Sequence, residues 1–74
     1  MRFKVSKYTI YERTEDGVDV FNSLTGAIIR LKDKEFIESF ENIISSSDPI
    51  EYNDNNPLHS TCMKNGIFVP EDEN

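Results

Sequence analysis

In this 74-residue sequence the one histidine and the one cysteine, His59 and Cys62, stand three residues apart, a spacing that metal-binding or reactive chemistry can use. On a helix that spacing puts both on one face, where a zinc ion takes ligands. No second pair accompanies them, because the chain has one histidine and one cysteine. A nucleophilic thiolate with His59 as its base also needs a group to orient the imidazole and donors for an oxyanion. The sequence supplies neither. Cys62 therefore reads as a small half-buried apolar group, and no metal centre or catalytic site is expected. A lone cysteine makes no internal disulfide and suits a reducing compartment. Tyr8, Tyr11 and Tyr52 read as packing residues with a wet hydroxyl.

Charge narrows the partners. The net charge is −6, and it is unevenly placed. Residues 1–32 carry six basic and four acidic groups, a balance of +2, while residues 33–74 carry two basic and ten acidic groups, a balance of −8. Nucleic-acid binding depends on Lys and Arg neutralising phosphates, so nucleic acid is not an expected partner. There is no charged leader with an apolar run behind it, and no stretch approaching the roughly 18 apolar residues of a membrane helix. We expect a cytoplasmic protein without membrane contact. At this length the chain is one domain, burying only roughly 60% of the surface its unfolded form exposes.

The segment that organises the chain is Val20 to Leu31. Tyr8–Tyr11 and Val18–Asn22 read as a hairpin across Thr14-Glu15-Asp16-Gly17, with Gly17 where a positive φ is tolerated. Ser23-Leu24-Thr25-Gly26 is a second turn, and Ala27–Leu31 is a third strand ending the sheet. Alternation puts Ala27, Ile29 and Leu31 on the core face and Ile28 and Arg30 on the wetter one. Asp33 caps an amphipathic helix whose buried stripe is Phe36, Ile37, Phe40, Ile43 and Ile44, with Glu38, Glu41 and Asn42 opposite. Ser45–Pro49 ends it. Ile50–Asn56 reads as loop or one loose turn. Asn56-Pro57 opens a short helix through Lys64, with Gly66 as its C′ residue. Ile67-Phe68-Val69 is briefly extended. The expected class is α+β, a small winged-helix-like domain with a three-stranded antiparallel sheet followed by helices, over residues 1–70. Residues 71–74 read as an acidic tail or the start of a linker.

Ser6-Lys7-Tyr8, Phe21-Asn22-Ser23-Leu24-Thr25-Gly26-Ala27, the helix capped at Asp33 and the closing Lys64-Asn65-Gly66-Ile67-Phe68-Val69 together resemble the N-terminal peptide-recognition domain of radical SAM/SPASM peptide maturases. The resemblance covers nearly the whole chain. It departs from the family at Asp48–Asn56, which is Asn/Asp-rich and poorly helical, and at Ile67, which stands between Gly66 and the aromatic Phe68. It implies a RiPP recognition element, a non-catalytic winged-helix-like domain that holds the leader of a ribosomally made precursor peptide as an added strand. Carried over, the docking edge is Ala27, Ile28, Ile29, Arg30 and Leu31, and the helix wall is Leu58, Thr61, Cys62 and Asn65. The implied partners are a precursor leader peptide and a radical SAM maturase domain, in cis or in trans. The chain has no Cys-x-x-x-Cys-x-x-Cys motif, so no cofactor is expected in it. S-adenosylmethionine and iron–sulfur clusters belong to a partner or downstream catalytic domain. Either an excised N-terminal domain or a freestanding recognition protein fits, and the excised domain is preferred.

Main-chain bonds along a sheet edge give sequence-tolerant affinity, and pockets for alternate side chains give specificity. Arg30 and Lys32 stand where acidic leader residues would pass. The competing reading is an acidic interaction protein that docks on a basic protein surface, using Glu35, Glu38 and Glu41 or the acidic second half. Against it, the carboxylates are split among a helix, a loop and a tail. A DNA-binding winged helix would need a basic recognition helix, and Pro57–Lys64 has one lysine.

Overall fold

A computed structural model describes residues 1–73. The chain runs β1 (Arg2–Val5), β2 (Thr9–Arg13), β3 (Val18–Asn22), β4 (Ile28–Leu31), α1 (Lys34–Ser45), β5 (Ile50–Glu51), α2 (Pro57–Lys64) and β6 (Phe68–Pro70). The class is α+β. The expected sheet is present as the antiparallel order β2-β3-β4, and a second antiparallel sheet, β5-β1-β6, stands beside it. The observed order is therefore not one sheet followed by two helices: β1 precedes the first hairpin and β5 separates the helices.

The elements follow from local chemistry. In α1 the Asp33 carboxylate accepts the Glu35 N–H at 2.8 Å, satisfying one of the orphan donors of the first turn. Phe40 and Ile43 are buried, with Phe36, Ile37 and Ile44 packed alongside. In α2 the Asn56 side chain accepts from Leu58 and His59 N–H groups, with Pro57 at the first helical position. Its C-terminus is a Schellman motif: the Gly66 N–H donates to Met63 O and the Ile67 N–H to Cys62 O, with Gly66 at φ 74°. A Cβ on Gly66 would also lie 2.5 Å from Asn22 Nδ2.

Gly17 does a different job from the expected one. It does not have a positive φ. It is glycine because a Cβ there would run into the backbone carbonyl of Leu31, across the β3–β4 ladder. The turn itself closes through Thr14, whose N–H donates to Gly17 O at 2.8 Å and whose hydroxyl accepts the Gly17 N–H.

A run of rings joins the two sheets. Phe3 of β1 stacks on Phe68 of β6 (4.5 Å between centroids) and meets His59 edge-on (4.8 Å). Phe68 faces Phe40 of α1, which meets Tyr11 of β2 at 5.8 Å. Phe3, Phe40, Phe68, Ile67, Val20 and Cys62 are the largest fully buried side chains, and they form one core. Glu71, assigned to the acidic tail from sequence, is tied to the β5-β1-β6 sheet. Its N–H donates to Arg2 O at 3.1 Å and its carboxylate pairs with the Arg2 guanidinium. Asn74, the last residue of that tail, lies outside the described residues. Among the described residues no helix is long and apolar enough to cross a membrane.

Candidate peptide-docking edge

Strand β4 lies at the end of its sheet, and no other strand flanks its outer side among the described residues. The Asn22 N–H donates to Ala27 O at 2.9 Å. Bonded pairs alternate along an antiparallel ladder, so Val20–Ile29 and Val18–Leu31 are the next ones in this register. The N–H and C=O groups of Ile28 and Arg30 therefore face outward from the sheet. They are the donors and acceptors that an added strand needs.

The start of α2 lies beside this edge with a recess between them, and a second recess opens beside the turn that precedes β4. The first, about 190 Å³, is walled by Ile29, Arg30 and Leu31 of β4, Phe36 of α1, and Pro57, Leu58 and Thr61 of α2. The second, about 440 Å³ and more open, includes Ala27 and Asn22 on the sheet side and Met63, Lys64, Asn65 and Gly66 at the end of α2. The start of α2 thus accompanies the end of β4 along the first recess, while the end of α2 faces the turn before β4 and strand β6 across the second. The four residues of β4 span about 13 Å. An added strand of similar length would send alternate side chains into the groove and the others out beside Ile28.

The groove brings together most of the residues named from the sequence. Ile29, Arg30, Leu31, Leu58 and Thr61 share the first recess, and Ala27 and Asn65 share the second. Ile28 is half exposed on the outer face of the sheet. Cys62 is the correction. It has no exposed surface, sits in the core on the line of α2 that also carries buried Leu58, and cannot touch a ligand in the groove. Burial pushes its thiol up to about 12, which leaves it protonated and inert.

His59 is likewise structural. Its Nδ1 accepts the Asn53 N–H at 3.1 Å, its ring packs on Phe3 and Tyr52, and burial lowers its pKa below the ordinary 6.5. The imidazole is neutral and holds the connection between β5 and α2. Among the described residues no group of three His, Cys, Asp or Glu side chains is placed to hold a metal ion.

Sequence reasoning missed Phe36 and Pro57 as groove walls and Asn22 as the joint of the site. Asn22 is 4% exposed. Its Oδ1 accepts from the N–H groups of Leu24 and Thr25, and its Nδ2 donates to the carbonyls of Asn65 and Gly66 at 3.2 and 3.3 Å. One amide thereby folds the β3–β4 turn and fixes the end of α2 beside it. The signal was in the Asn-Ser-Leu-Thr-Gly string, an Asx-turn sequence; its second set of bonds, to a helix end far along the chain, was not.

No family model, curated protein or solved structure matches the chain.

Proposed function

We propose that this domain binds a peptide segment as an added strand on β4, with α2 as the side wall. The observation that carries the reading is the open edge at Ile28 and Arg30 lying along a groove with an apolar recess. The edge supplies main-chain hydrogen bonds, and the Ile29–Leu31–Phe36–Leu58 recess takes an apolar anchor side chain. Ordering a flexible peptide costs about 2–5 kcal/mol, so the recess has to provide most of the net affinity. With the resemblance of the Asn22–Ala27 turn and the Lys64–Val69 exit, the proposed ligand is the leader of a ribosomally synthesised precursor peptide. The domain would present it to a radical SAM maturase domain, in cis or in trans, in the cytoplasm. No catalytic role and no cofactor are assigned to this chain.

The acidic-surface alternative has less to work with. Asp19 lies near Arg30, Glu41 pairs with Arg13, Glu51 with the N-terminal ammonium and Glu71 with Arg2. Those carboxylates are already drawn to cations of the same chain.

The test is a titration of ¹⁵N-labelled domain with leader segments from precursor peptides encoded beside it. The expected amide shifts concentrate on Ile28–Leu31 and Leu58–Thr61. Ile28→Pro removes an outward N–H on an edge strand, where proline is tolerated, and Thr61→Arg fills the groove from an exposed position. Each should weaken binding at least about tenfold, a loss of roughly 1.4 kcal/mol, with little change in the urea midpoint. A peptide that binds both variants as it binds the unaltered domain would sink the proposal.

A further inference from the structure

The sheet β2-β3-β4 uses only one of its faces for the core. On the other face the ladder register aligns Ile10 with Phe21 and Phe21 with Ile28, a row of apolar side chains across all three strands. Ile10 and Ile28 are 56% and 50% exposed. The next row on that face is Glu12, Asp19 and Arg30, acidic on β2 and basic on β4.

We propose that a second copy of this chain covers this face, about a two-fold axis parallel to the strands. The order of the two rows singles out that partner and that axis. Such a rotation lays β2 of one copy over β4 of the other and β3 over β3, at the roughly 10 Å spacing of packed sheets. Ile10 then meets Ile28 and Glu12 meets Arg30, each contact occurring twice as an isologous interface requires, and Phe21 meets Phe21 once, on the axis. The two Asp19 carboxylates come near the axis, each with its own Arg30 Nε 3.8 Å away. A two-fold axis running across the strands would instead put the charged row over the Ser23–Gly26 turn and pair no opposite charges. A face of three short strands is smaller than the roughly 800 Å² per partner of a standard interface, so the dimer is weak and concentration-dependent. It leaves both β4 edges open and therefore carries two grooves.

Sedimentation equilibrium of the full chain over a wide concentration range tests this. The expected result is a reversible monomer–dimer equilibrium. Glu12→Arg and Arg30→Glu should each weaken it at least about tenfold, because like charges then face each other across the axis. Combining the two substitutions should restore it, and Ile10→Lys should abolish it. Circular dichroism of each variant separates loss of association from loss of folding. A chain that stays monomeric at every concentration overturns the proposal. So does self-association that ignores both single reversals but disappears in Ile28→Pro, which would put the second copy on the β4 edge instead.

Discussion

The two sheets have the same number of strands and opposite uses. In β5-β1-β6 the edges are two and three residues long, the central Phe3 is fully buried, and the residues that leave the sheet are pinned by the Arg2–Glu71 and N-terminus–Glu51 pairs. In β2-β3-β4 the strands are four or five residues long, one edge lies along a groove, and the outer face carries an apolar row. Edges that short are hard to extend with a foreign strand, whereas a longer edge with a recess beside it favours one. The β5-β1-β6 sheet closes the domain, and β2-β3-β4 is the one with a longer open edge and an uncovered apolar row.

Breaking the first sheet should cost most. Phe3→Ala removes a ring stacked on Phe68 and set against His59. A large-to-small change of this kind costs about 3–5 kcal/mol, a large share of the roughly 5–15 kcal/mol that holds a domain together. Urea denaturation followed by circular dichroism should show the whole protein destabilised, both sheets melting together because one core joins them. If the amides of β2-β3-β4 kept their hydrogen-exchange protection in this variant, the two sheets would be separate folding units. An intermediate effect is expected at the joint. Asn22→Ala leaves the N–H groups of Leu24 and Thr25 and the carbonyls of Asn65 and Gly66 without their side-chain partner, at about 1–3 kcal/mol. It should also loosen the proposed peptide binding, since the end of α2 would no longer be fixed to the end of β3 beside the turn into β4; a variant that loses stability alone would assign Asn22 to folding and not to the site.

The smallest effect is a pH dependence confined to the closed sheet. His59 is harder to protonate in the folded domain than in the unfolded chain. The unfolded chain therefore takes up more protons as pH falls below the ordinary value of 6.5, and stability drops with it. The drop levels off once pH passes the lower folded-state value, and stability is fully present above 6.5. Urea midpoints measured on either side of that value should differ in the unaltered protein and converge in His59→Gln. An equal pH dependence in that variant would assign the effect to other groups.

What the sequence made legible was local. Asp33 and the Phe36/Phe40/Ile43 stripe lie within one helix, and Asn56-Pro57 and Gly66 bracket the other, so α1 and α2 were readable with their caps. The β4 edge and the inward side of Leu31 followed from alternation and from the Asp33 cap directly after it. What was not legible was pairing at long range. Arg2-Phe3-Lys4-Val5 does alternate polar and apolar, which is a strand signal, but its partners are residues 50–51 and 68–70. The two-residue β5 is too short to show any period. The same limit explains Cys62. On so short a helix, with Leu58, Thr61, Cys62 and the capping Asn65 all within two turns, only the packing of Phe3, Phe40 and Phe68 decides which line faces the core.

The pairing of β1 with β6 also sets an order in time. The hairpins of β2-β3-β4 close over short loops, whereas β1 has to find strands made much later, and long loops slow folding. During synthesis the open sheet can assemble while Phe3 and Val5 still lack β6. β1, although it precedes the hairpins in the chain, is thus among the last strands to dock, and its Phe3 ring is stacked only once Phe68 has been made.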